Sequence, residues 1–132
     1  MRRPPRPGAA PTRSARGLAA RADGRGAEWL AALWLMGKGY RILGFRLKTP
    51  FAEIDLLARR GAVLAVVEVK RRRTLDEALQ AVGAAQRERL LRAGANLAGR
   101  ARDPNGLSVR LDLIALAPGR WPRHIPGAWG QE

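Results

Sequence analysis

The run Ala62-Val63-Leu64-Ala65-Val66-Val67-Glu68-Val69-Lys70 constrains the chain more than any other feature. It is rich in β-branched residues and almost wholly apolar, too short for a buried helix and too uniform for a half-solvated strand. Such a strand must be covered on both faces, which predicts the centre of a sheet with other elements packed on either side. Arg59-Arg60-Gly61 precedes it as a short connection, and Phe51–Ala58 before that reads as its hairpin partner. Tyr40–Leu47 reads as a further strand, broken off by Thr49-Pro50.

Helices flank this block. Residues 26–38 (GAEWLAALWLMGK) are apolar on nearly every side, with Glu28 the only acid. They predict a buried helix, with Trp29 and Trp34 in the core and a stop at Gly37 and Gly39. Thr74-Leu75-Asp76-Glu77 matches a capping box and predicts one long helix reaching about Ala98. Asp103-Pro104-Asn105-Gly106 is a turn, followed by a fourth strand, Leu107–Leu116. From Pro118 the chain reads as irregular, and Trp121 and Trp129 there are candidates for base stacking. The expected class is α/β, a mixed β-sheet flanked by helices in the order α-β-β-β-α-β.

A chain of 132 residues fits one domain, assigned to residues 26–132. Residues 1–25, rich in Pro, Arg, Ala and Gly without an apolar period, read as a disordered basic arm. Their composition also suits an organellar transit peptide, but they lack the apolar stretch of a secretory signal. No run approaches the roughly 20 apolar residues of a membrane span, so a cytoplasmic protein with no membrane partner is expected. The absence of Cys excludes disulfide scaffolds, thiolate metal sites and thiol catalysis. His124, the single histidine, reads as structural.

The formal charge of +14 points to a polyanionic partner, with a discount. Of 25 basic residues 22 are Arg, the mark of GC-rich codon usage, and residues 1–25 hold seven Arg against one acid. The 11 acids are more informative. Glu53 and Asp55 lie two apart on one predicted strand, Glu68 and Lys70 two apart on the next, so each pair shares a face. A turn at Arg60-Gly61 would set Glu53 opposite Glu68 and Asp55 opposite Val66. The four polar side chains would then gather on one side, with Ile54, Leu56, Val67 and Val69 on the other. Adjacent carboxylates repel unless a cation lies between them, and Mg²⁺ or Mn²⁺ would suit an all-oxygen site. Lys70 could orient an attacking water or offset phosphate charge. Glu28 is either a satisfied acid on a buried helix or, functionally, a further metal ligand or charge partner, and Asp112 a partner for a nearby Arg. Arg71-Arg72-Arg73 is either a solvated strand end or a phosphate clamp for nucleic acid.

Ala52-Glu53-Ile54-Asp55-Leu56-Leu57 followed by Val67-Glu68-Val69-Lys70-Arg71-Arg72 closely resembles the YraN-like family of endonuclease-like proteins. That family is related to Holliday-junction resolvases within the restriction-endonuclease-like superfamily. The likeness runs over about residues 24–129, including Gly26-Ala27-Glu28, Gly39-Tyr40-Arg41-Ile42-Leu43, Arg110-Leu111-Asp112 and His124-Ile125-Pro126-Gly127-Ala128-Trp129. The resemblance implies Asp55 and Glu68 as metal-binding acids, Lys70 as the catalytic lysine, Glu28 as an added acid, and Glu53 and Gln86 in support. Arg46 stands where the family has Asn, Ala52 where it has Gly and Gln86 where Lys is common. The activity implied is Mg²⁺- or Mn²⁺-dependent hydrolysis of DNA, branched DNA included, by a homodimer. The competing expectation is a non-catalytic nucleic-acid-binding module with a vestigial site. RNA binding ranks below both, because the predicted sheet lacks an aromatic face.

Overall fold

The computed structural model describes residues 25–103 and 105–130. The predicted arm, residues 1–25, lies outside these apart from Arg25, where the first helix begins. In chain order the elements are α1 (Arg25–Gly37), β1 (Arg41–Lys48), β2 (Glu53–Arg60), β3 (Val63–Arg71), α2 (Leu75–Gln80), α3 (Ala84–Arg100), β4 (Ser108–Leu116) and β5 (Arg123–Ile125). They form one five-stranded sheet in the order β1-β2-β3-β4-β5. All neighbours are antiparallel except β3 and β4, which run parallel through the α2–α3 crossover. The class is the α/β, mixed-sheet arrangement expected. Among the described residues no helix is long and apolar enough to cross a membrane.

β3 is the central strand, and its alternation builds both halves of the core. Ala65 and Val67 join Ala27, Ala31, Ala32 and Leu35 of α1 on one face. Leu64 and Val66 meet Val82, Leu90 and Ala93 on the other. Helix α3 approaches this second face closely at Gly94, where a Cβ would stand 2.6 Å from Val66 Cγ2 and 2.7 Å from Val109 Cγ1. Valine has little rotamer freedom with which to withdraw. Gly94→Ala is therefore expected to destabilise by about 1–2 kcal/mol, overpacking outweighing the helix-propensity gain. A urea midpoint equal to or above wild type would contradict this.

Several sequence expectations need correction. α1 is not buried all round: Trp29 is 56% exposed and Leu33 60%, because the helix lies on one face of a single sheet and no described element covers its outer side. Trp29 touches only its flank, at 4.9 Å from the Phe45 ring. The long helix is two. Thr74 caps α2 as predicted, its Oγ1 accepting the Glu77 N–H at 3.1 Å. The chain breaks at Ala81–Gly83, however, and Gly83 in extended conformation starts α3. The tail contains β5, three residues between Pro122 and Pro126 that pair with Leu113–Ala115.

The hairpin register also differs. Arg60 pairs with Val63 and Leu56 with Val67, so the turn is Gly61-Ala62 rather than Arg60-Gly61. Gly61, at φ +60°, takes the first loop position, as a type II′ turn requires. The shift of two residues keeps the alternation of faces along the paired ladder but moves Asp55 along the strand from Val66 toward Glu68. Ile54 is an exception. It packs with the α3 cluster while Leu56 packs with α1, and Leu47 and Phe45 opposite them divide in the same way. Both strands change face at the level of Arg46, whose φ of 48° is the one positive value among described non-glycine residues. An Asn would adopt that conformation more readily than Arg.

Candidate active site

The ordered β2–β3 ladder ends at Leu56 and Val67. Beyond it the Asp55 side chain takes a place in the hydrogen bonding, its Oδ2 accepting the Val69 N–H at 3.0 Å. Glu68, 2% exposed, follows Leu64 and Val66 on the α3 face and hydrogen-bonds the Asp55 carboxyl. Lys70 Nζ lies 3.8 Å from Glu68 Oε2. Burial, then the neighbouring Asp55 charge, pushes Glu68 up to about 8, against a weaker opposing pull from Lys70. Burial also raises Asp55, although the Val69 N–H and Lys70 oppose it. One proton held between two carboxyls follows from these shifts.

The donor set suits a hard divalent cation. It is all oxygen, and a cation between the carboxylates would replace the shared proton. Among the described residues no three His, Cys, Asp or Glu side chains converge as a metal cage. The protein share of such a site would be a carboxylate pair, small enough to suit Mg²⁺, which keeps several waters.

The remaining predicted residues stand at different removes. Glu28, buried in the first turn of α1, accepts Arg46 Nε at 2.7 and 3.1 Å, and its charge still reaches Asp55. Its contact is thus that of a charge partner, and ligation would require Arg46 to let go. Glu53 is exposed at the start of β2, close enough to raise Asp55. Gln86 is half-buried in the first turn of α3, and no hydrogen bond joins it to Asp55, Glu68 or Lys70. Arg71 is half-buried at the end of β3, while Arg72 and Arg73 are exposed beyond it.

Two features were not anticipated. Arg46 is one: nothing local in Phe45-Arg46-Leu47 announces a partner on α1. The other is the network around Asp112, of which only the Arg partner was expected. Asp112, fully buried, receives Arg110 through Nε at 2.7 Å and Nη2 at 2.8 Å, His124 Nε2 at 2.8 Å and the Gly127 N–H at 3.1 Å. Burial alone would raise this carboxyl, but these donors together hold it below the ordinary range. Arg110 also reaches the Tyr40 hydroxyl, and Lys38 Nζ sits 2.9 Å from His124 Nδ1. The network ties β5 and the C-terminal turn to the sheet on its α1 face, so His124 is structural. Trp129 is structural too: its Nε1 donates to the Leu79 carbonyl at 3.0 Å, and the ring packs against α2 and α3.

Comparison with known proteins matches residues 27–116 to the profile of uncharacterised protein family UPF0102. A UPF0102 protein of Caulobacter vibrioides (strain NA1000 / CB15N) is 66% identical over 122 residues, covering 92% of this chain and 98% of its own. One from Caulobacter sp. (strain K31) is 63% identical over 127 residues, covering 96% and 91%. One from Parvibaculum lavamentivorans is 51% identical over 115 residues, covering 87% and 86%. The match spans the first helix, the carboxyl pair, Lys70 and β4, and the chain belongs to the uncharacterised protein family UPF0102, the YraN-like group.

Proposed function

We propose that the protein is a metal-dependent DNA endonuclease that hydrolyses phosphodiester bonds, branched DNA included. The observation that carries this reading is the hydrogen-bonded pair of half-buried Asp55 and buried Glu68, with Lys70 Nζ 3.8 Å from Glu68 Oε2, in a chain of formal charge +14. Asp55 and Glu68 would hold Mg²⁺ or Mn²⁺. The cation, when bound, activates water and neutralises charge on the phosphate. Lys70 supplies a positive charge from the same strand face, where it orients the water or balances the phosphate oxygens. The Val69 N–H fixes the Asp55 carboxylate, so this ligand is positioned before substrate arrives. Arg46 partly offsets the Glu28 charge, which still reaches Asp55, and Glu53 and Gln86 stand at the margins. Arg71, Arg72 and Arg73 continue β3 toward solvent, where they would meet DNA phosphates. A cytoplasmic location, with access to the chromosome, accords with this chemistry. A homodimer would place two such sites on opposed strands.

The test is incubation of the purified chain with labelled linear, flapped and four-way DNA in Mg²⁺ or Mn²⁺. Cleavage is expected to fall by at least about 100-fold in Asp55→Asn and in Lys70→Ala. No cleavage of any substrate, or equal cleavage by the variants, would overturn the reading. Salt-sensitive DNA binding unaffected by EDTA and by those substitutions would then favour a non-catalytic module.

A further inference from the structure

Beyond the carboxyl pair, β3 and its parallel neighbour β4 end together, Arg71 opposite Leu116, and the Arg72 N–H donates to the Leu116 carbonyl at 3.0 Å. Ligands of open α/β sheets gather at such carboxyl ends. Here the ends open into a cavity of about 380 Å³ lined by Arg72, Arg73, Arg120, Trp121, Arg123 and Ala115, among others. The arginines come from three places: the end of β3, the β4–β5 connection and β5 itself. No carboxylate is among the described residues that line the cavity. Four arginines around one space concentrate positive charge there, a setting that favours an anion.

A lone phosphate would not explain the indole on the wall. Trp121 is 40% exposed, and its ring stacks on Trp34 at 6.2 Å and 21°. That backing holds it as a fixed platform at low entropic cost. An aromatic face within a cluster of arginines is the combination that takes a nucleobase together with its flanking phosphates. Bases within a duplex already stack on each other and offer no free face, so the occupant must be unpaired. Besides the arginines, the one polar side chain among the described lining residues is that of Thr74, so stacking and phosphate contacts dominate what the cavity offers. Ala115, on its wall, pairs with Lys70. Arg72 lies four residues beyond Glu68, about 13 Å along an extended strand.

We propose that this cavity is a subsite for unpaired nucleotides of a DNA substrate, one base stacked on Trp121 and its phosphates held by Arg72, Arg73, Arg120 and Arg123. The subsite rests on the nuclease reading for its purpose, since it would set a junction between single and double strand beside the carboxyl pair. It selects flapped or tailed DNA over blunt duplex.

Binding of the full chain is measured in EDTA by fluorescence anisotropy, with a short blunt duplex and the same duplex bearing an oligo(dT) tail. The tail is expected to tighten binding about tenfold. Trp121→Ala removes that gain and leaves blunt-duplex affinity unchanged, while Trp121→Phe keeps most of it. Joint replacement of Arg120 and Arg123 by Ala lowers the salt slope for tailed DNA by about two. Equal affinity of wild type for both DNAs, or parallel weakening of both by Trp121→Ala, overturns the proposal. If Trp121→Ala fails to give a cooperative melt, the wild-type comparison and the arginine pair decide. Tail preference without cleavage in Mg²⁺ would sink the nuclease reading alone, and cleavage without tail preference the subsite alone.

Discussion

Glu68→Gln is expected to raise the stability of the metal-free protein at pH 8 while abolishing cleavage. Glu68 is pushed up to about 8 in the folded chain, against 4.5 as its ordinary value. Between those values the folded state binds more protons than the unfolded one, so wild-type stability falls as pH rises from about 5 to 8. At most about 1.4 kcal/mol is lost per pH unit, and the pair shares its proton with Asp55. A total of roughly 2–4 kcal/mol follows, worth about 10 °C or more in melting temperature for a domain of this size. Glutamine keeps the shape, removes the charge and flattens the profile. Mg²⁺ or Mn²⁺ should lift the wild-type midpoint at pH 8 and leave the variant unmoved. The check is a set of thermal melts in EDTA between pH 5 and 8, repeated with metal. A flat wild-type profile, or a Glu68→Gln midpoint below wild type at pH 8, would contradict the account.

Asp112→Ala should be the most damaging single change away from the carboxyl pair. The substitution strands Arg110, whose side chain is 25% exposed, and His124, 1% exposed, without their shared acceptor. It also leaves the Gly127 N–H unanswered. Breaking a buried ion pair from one side costs about 3–5 kcal/mol, a large part of the 5–15 kcal/mol that holds a typical domain. Urea unfolding would show it as a lower midpoint, and a loss under about 1 kcal/mol would mean the network is idle. The depressed Asp112 carboxyl contributes its stability above the ordinary carboxylate range and loses it only as pH falls through its own lower value. Its contribution therefore persists through the pH 5–8 window in which the Glu68 effect runs.

Much of this architecture was legible in the residues. Ala62–Lys70 could only be a covered central strand, and it is. The grouping of Glu53, Asp55, Glu68 and Lys70 rested on parity alone; Asp55, Glu68 and Lys70 do meet, while the change of face along β2 leaves Glu53 exposed at the margin. The register itself was not legible, because a glycine can occupy either loop position of a two-residue hairpin and only the closed sheet decides. The apolar girth of α1 suggested burial on every side, yet how many layers cover a helix is a property of the fold, and Trp29 and Leu33 were left outside. β5 has three residues between prolines, too few for any period to register; pairing to β4 makes it a strand. The arginine cavity was half visible in Arg71-Arg72-Arg73. Arg120 and Arg123 join it through a tertiary turn that no local pattern reports.

The parallel pairing of β3 with β4 bears on the order in which the molecule assembles. β2 and β3 are joined by Gly61-Ala62 alone, whereas Val63 meets Ser108 only after α2 and α3 have crossed the sheet. Contacts near in sequence form ahead of those that must first close a long loop. The two carboxyls are thus brought together early, on a hairpin still open to water where their repulsion is screened. The arginine-lined space takes shape only when the crossover docks and β5 closes beside β4. Acid and base on this surface are products of different moments in folding, and the step that brings the second also buries the first.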